Sequence, residues 1–154
     1  MLATLLQEET VALAALCDSL CQEYAALKAH NLDALKQAAS KKQVCTDHLQ
    51  TLLEQQAHHL HQHGFAANAD GISACLASAT AAERAPLETL WTALQEVASR
   101  AQQQNKINGA IITASRSHIE RALCILQGHD AQTCLYDQDA QTTFGSGPHS
   151  LARA

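Results

Sequence analysis

The sequence predicts an all-α protein: an elongated antiparallel bundle of about three long helices plus one short helix, followed by a flexible C-terminal tail. Three observations carry this reading. Apolar residues make up 47% of the chain but aromatic residues only 3%, so the apolar content is mostly Ala and Leu, a mixture that favours helices over sheets. Those residues recur at helical rather than alternating intervals. Helix breakers are scarce, with 6 Gly and 2 Pro in 154 residues.

The first helix spans residues 2 to 29. Leu6, Leu13, Leu20 and Leu27 lie seven residues apart, with Leu2 and Leu16 four residues before Leu6 and Leu20, which is the seam of an amphipathic helix packed on long partners. Glu9 and Glu23 occupy the positions equivalent to Leu2 and Leu16, where they either rim the seam or pair across it. The pattern breaks at "KAHNLDAL". There Asn31 caps a second helix that runs through Leu35, Leu49, Leu52, Leu53 and Leu60 to a C-terminal stop at Gly64. "GFAANADG" then reads as a turn-rich loop, and "ISACLASA" as a short helix covering one end of the bundle.

From Pro86, suited to a first helical position, no breaker except Gly109 appears before Gly128. The third long helix is therefore about 42 residues, roughly 63 Å at 1.5 Å per residue. Its seam begins as Leu87, Leu90, Leu94 and Val97, thins to Ala101, Gln104 and Asn108, and resumes at Ile111, Ile112, Ile119, Leu123 and Leu126. Asn108-Gly109 is a strong hairpin dipeptide, but "SRAQQQNK" and "ITASRSHIE" on either side lack the alternation of strands. The site is helical, and its glycine either admits another backbone closely or marks a kink. Residues 1–127 thus form the bundle domain and 128–154 the tail, where Leu135, Tyr136 and Phe144 stand out as hydrophobic anchors.

Charge narrows the function classes. A formal net charge of -5, with its basic residues scattered, provides no footprint for nucleic acid. No apolar run reaches membrane-spanning length, and Glu8 and Glu9 interrupt what a signal peptide would need, so a cytoplasmic protein without membrane insertion is expected. Six cysteines without a CxxC motif are expected to be reduced thiols. Neither a nucleophile elbow nor a phosphate loop is present, so the chain does not read as an enzyme, and no cofactor is expected.

Two constellations compete with a plain binding role. His58, His59, His61 and His63 include a pair four residues apart that could chelate a divalent metal, but the rings point in several directions near a helix C-terminus. Cys17 and Cys21 are also four apart and read more simply as core fillers. A helical metal or redox protein is therefore the alternative, and a structural coiled-coil subunit another. The stronger argument is a surface. If the first two helices span about 30 residues each, roughly 15 to 20 Å of the last helix extends beyond them, carrying Ile119, Leu123, Ile125 and Leu126. Such a face could seat a partner, or a second copy in a homodimer of free molecules.

The residues resemble the FlgN-like flagellar export chaperones. The resemblance rests on "LLQEETVALAALCDSL", on "NKINGAII" as an N..NG.II pattern within a helix, on the amphipathic run to "LCILQG", and on "LYD" after it. It covers nearly the whole chain. The resemblance implies a cytoplasmic chaperone that holds hook-filament junction (hook-associated) proteins soluble, prevents their premature assembly, and delivers them to the cytoplasmic domain of the membrane protein of the type III export gate. It implies client binding by the C-terminal region, here Ile111, Ile112, Ile119, Leu123, Ile125, Leu126, Leu135 and Phe144. It implies gate docking by a tail tyrosine, here Tyr136 with Asp137, and a helix-packing signature in Asn105, Asn108 and Gly109. The chain departs from the family in carrying Ala140 in "YDQDAQT", where glycine is common.

Overall fold

A computed structural model describes residues 1–126. The fold is an all-α bundle of four helices among these residues: α1 (Leu2–Lys28), α2 (Leu32–Gln62), α3 (Ala69–Ser78) and α4 (Ala81–Leu126). Chain contacts divide it into two units, Met1–Gly109 and a second that begins at Ala110, whose described part is the end of α4.

In the first unit, α1 and α2 are separate helices joined by a tight turn. The amides of His30 and Asn31 reach back to the carbonyls of Leu27 and Ala26, closing the end of α1, and His30 takes the left-handed conformation with φ 50. Asn31 then caps α2 by accepting from the Ala34 amide at 3.0 Å. The far end of α2 repeats this solution with the residue best suited to it. Gly64 takes φ 78, and the Phe65 amide bonds the Leu60 carbonyl at 2.9 Å while both residues belong to the core.

The loop into α3 depends on a second glycine. Asn68 caps α3 through the Gly71 amide at 2.8 Å, and a Cβ on Gly71 would lie 1.8 Å from the Ala66 carbonyl oxygen, so only glycine fits. Ile72 and Leu76 turn the buried face of this short helix onto the core.

α4 corrects one expectation. It starts at Ala81 rather than Pro86, because "TAAE" (80–83) is a helix-starting pattern: the Thr80 hydroxyl donates to Glu83 Oε2 at 2.7 Å, and the Glu83 and Arg84 amides bond the Thr80 carbonyl. Pro86 is tolerated in the second turn, where the proton it lacks would have reached the exposed Ala82.

The core is one cluster. Leu2, Leu6, Leu13 and Leu20 of α1 meet Leu60 of α2, Ile72 and Leu76 of α3, and Leu94, Val97 and Ala101 of α4. These are the heptad leucines and the first half of the α4 seam, which shows why the long spacing pattern exists. Cys17, Cys21, Cys45 and Cys75 are free thiols. Among the described residues no helix is long and apolar enough to cross a membrane.

Leu20 is 1% exposed, so Leu20→Ala should destabilise the protein by about 2 to 5 kcal/mol in urea unfolding, against about 1 kcal/mol for removal of the Asn31 cap in Asn31→Ala. Equal effects would contradict the core assignment.

Candidate functional site

The first site is polar and lies inside the bundle. Leu2, Glu9, Leu16 and Glu23 share one heptad position on α1, so both glutamates point where a leucine would pack, and both are buried. Glu23 is fully compensated. Lys42 of α2 approaches its two carboxylate oxygens at 2.9 and 3.2 Å, and the Asn108 amide of α4 donates to Oε2 at 2.8 Å. Asn108 also donates to the Leu20 carbonyl at 2.9 Å and accepts from Gln104 at 3.0 Å. With 1% exposure, it has a partner for each polar atom, which is the condition under which a buried amide stabilises rather than costs.

Glu9 has less support. Gln56 of α2 donates to its Oε2 at 2.8 Å, while Oε1 is buried and has no hydrogen-bond partner among the described residues. Burial pushes its pKa from 4.5 to about 7, against the smaller downward pull of the Gln56 bond. Of the two expectations for these glutamates, pairing across the seam is the observed one. The partners Lys42 and Gln56 were missed, although a signal existed. Both pairs follow a single antiparallel register of α1 against α2, centred between residues 32 and 33, in which position 42 meets 23 and 56 meets 9.

The other members of the Asn-Gly signature behave differently from Asn108. Asn105 is exposed on the rim of an open cleft of about 330 Å³ whose lining includes Leu16, Leu20, Lys42 and Ala101. At Gly109 an added Cβ would meet nothing within 4 Å among the described residues. The close-approach explanation of that glycine is therefore overturned: the packing residue of the pair is the asparagine.

The second site lies in the second unit. Ile112, Ile119, Leu123, Ile125 and Leu126 are all exposed, Leu126 at 82%, and Ile111 is half-buried. Ile112, Ile119 and Leu126 fall seven residues apart, and Leu123 four after Ile119, so they form one stripe with Ile111 along its edge. The same period puts Ile125 on the far side of the helix from this stripe. Arg116 and Glu120 pair at 2.7 Å beside the stripe. Four of these large apolar side chains, Ile112, Ile119, Leu123 and Leu126, are thus left in water along one face over about four turns, the kind of patch that commonly marks a contact surface. Leu135, Tyr136, Asp137 and Phe144 lie outside the described residues.

The histidine and cysteine constellations have local roles. Nε2 of His58 meets the Gln62 amide at 2.8 Å, and Nδ1 of His63 meets the His59 carbonyl at 2.8 Å. His59 is buried, its Nδ1 has no partner among the described residues, and burial foremost lowers its pKa. Among the described residues no group of three or more His, Cys, Asp or Glu side chains converges to hold a metal. Cys17 donates its thiol to the Val97 carbonyl at 3.8 Å, and burial pushes its pKa up, away from the reactive thiolate.

Comparison with known proteins gives one match: a family model described as FlgN protein fits residues 1–143. No curated protein and no solved structure matches the chain.

The contrast between adjacent residues is testable. Asn108→Ala leaves Glu23 Oε2 and the Leu20 carbonyl short of a donor and should cost about 1 to 3 kcal/mol in urea unfolding. Gly109→Ala, facing open space within a helix, should be neutral or stabilising by about 1 kcal/mol. The reverse order would show that the glycine carries the packing.

Proposed function

The chain belongs to the FlgN family, a family of flagellar export chaperones, and from that premise we propose that it binds hook-filament junction (hook-associated) proteins in the cytoplasm, prevents their premature assembly and delivers them to the type III export gate. The observation that carries the reading is the family match over residues 1–143. The exposed stripe of Ile112, Ile119, Leu123 and Leu126 supports it physically. Anchors at these intervals suit helix-in-groove or helix-on-helix docking of an amphipathic segment. Coupled folding of such a segment has an ordering cost, which keeps the complex releasable, and release is what delivery requires.

In this reading Ile111, Ile112, Ile119, Leu123, Ile125, Leu126, Leu135 and Phe144 form the client surface, and Tyr136 with Asp137 docks on the cytoplasmic domain of the gate's membrane protein. The protein acts by binding, with no catalytic step. Without a client, the same stripe is available to a second copy, giving a homodimer that the client displaces.

Co-expression with a hook-associated protein followed by gel filtration should yield a complex. Ile119→Asp combined with Leu123→Asp should weaken it by at least tenfold, since each buried aliphatic side chain is worth about 1.5 to 3 kcal/mol, while the helical circular dichroism stays unchanged. Removal of residues 128–154 should also abolish the complex. Full affinity after both changes would exclude this surface as the client site. Tyr136→Ala should leave client binding intact and weaken binding to the export-gate cytoplasmic domain. Equal loss of both would move Tyr136 into the client site.

A further inference from the structure

Glu9 and Glu23 occupy the same heptad position of α1 and have opposite surroundings. Glu23 has a lysine and an asparagine, whereas Glu9, 1% exposed, has a single neutral donor. Its Oε1 and the Nδ1 of His59 are both buried polar atoms without a partner among the described residues. Gln56 and His59 lie three residues apart on α2, one turn along the same face. We infer that the part of the α1–α2 seam containing Glu9, Gln56 and His59 is a proton-operated latch, closed while Glu9 carries a proton and His59 does not, and loosened when Glu9 ionises.

The inference stands on what each protonation state leaves behind. Protonated Glu9 is a neutral group with one oxygen bonded to Gln56. Ionised Glu9 is a buried anion with no cation to pair with, a state the seam relieves by admitting water. Among the described residues burial and the Gln56 bond are the influences on Glu9, with no charged partner from another element, and α3 and α4 contribute aliphatic Ile72, Leu76, Leu94 and Val97 to this core. His59 feels burial first, then His63 of its own helix and the Met1 amine, all of which favour its neutral form.

The direction follows from linkage. The folded-state pKa of Glu9 is raised from 4.5 to about 7, so its stabilisation is complete below 4.5 and is lost as the pH rises through about 7. On these values the opening equilibrium of the seam rises about tenfold between pH 6 and pH 8. His59, with its pKa lowered, acts in the other direction and opposes acidification. The seam is tightest in mildly acidic solution and loosens through neutrality.

Native-state hydrogen exchange on the full chain tests this, with amides in residues 5–13 and 52–60 followed from pH 6 to pH 8 and corrected for intrinsic exchange. The wild type should show about tenfold more opening at pH 8 than at pH 6, and Glu9→Gln should abolish that rise and be the better protected at pH 8. A flat wild-type profile, or the same rise in the variant, overturns the latch. Should Glu9→Gln fail to fold, carbon-detected NMR titration of the Glu9 carboxyl in the wild type decides: a midpoint near 7 supports the latch, and one in the ordinary carboxylate range overturns it.

Discussion

One buried carboxylate holds three helices in register. Glu23 receives Lys42 from α2 and Asn108 from α4, and Asn108 simultaneously reaches the Leu20 carbonyl one turn earlier on α1. Hydrophobic contacts alone tolerate sliding, since one leucine layer resembles the next. A buried amide that must satisfy several polar atoms does not, because a slip of one turn would leave all of them unpaired in a low-dielectric interior. The aliphatic layers of Leu94, Val97 and Ala101 therefore meet α1 where they do because the polar layer beyond them admits one arrangement. Toward the other end of α1, the cap of α2 at Phe65 and the Gly71 approach fix α3 against the same core.

Much of this was legible in the sequence. Heptad leucines place α1, Asn31 and Gly64 bound α2, and the absence of breakers makes α4 long. All of these signals are local, and local signals survive tertiary packing when they agree with it. Misses occurred where the deciding interaction was non-local or where two local signals competed. Pro86 is a good first helical residue, yet the Thr80–Glu83 pair started the helix earlier because proline in the second turn removes only one bond. Glu9 and Glu23 were recognisable as anomalies in a leucine seam, but their different fates depend on whether residue 56 or 42 lies opposite, since an ammonium neutralises a buried carboxylate and an amide offers it only a neutral donor. The Asn108-Gly109 pair was recognisable as special, but not that the asparagine is its buried member while an added Cβ on the glycine would meet open space, because this depends on what α1 places opposite. The apolar stripe was legible as a run of large aliphatic residues, and the structure adds that each of Ile112, Ile119, Leu123 and Leu126 is exposed.

The two sites on α4 use the same helical period for opposite ends. Up to Asn108, the heptad line through Leu87, Leu94 and Ala101 faces inward and is buried to an increasing degree. From Ile112, large side chains at the same spacing remain in water. Burial stabilises the fold in the first case, and in the second the same kind of side chain is left in water, where its burial would favour association.

Gly109 divides these regimes, and its open surroundings have a consequence for cooperativity. A glycine in a helix lowers the local cost of breaking hydrogen bonds, and a Cβ added to this one would meet nothing within 4 Å among the described residues. Fraying from the C-terminal end of α4 would therefore reach a weak link immediately before Asn108, whose three hydrogen bonds include two that tie α4 to α1. Along the single run of Ala81–Leu126, the turns after Gly109 can therefore open locally without breaking the bonds that Asn108 makes to α1.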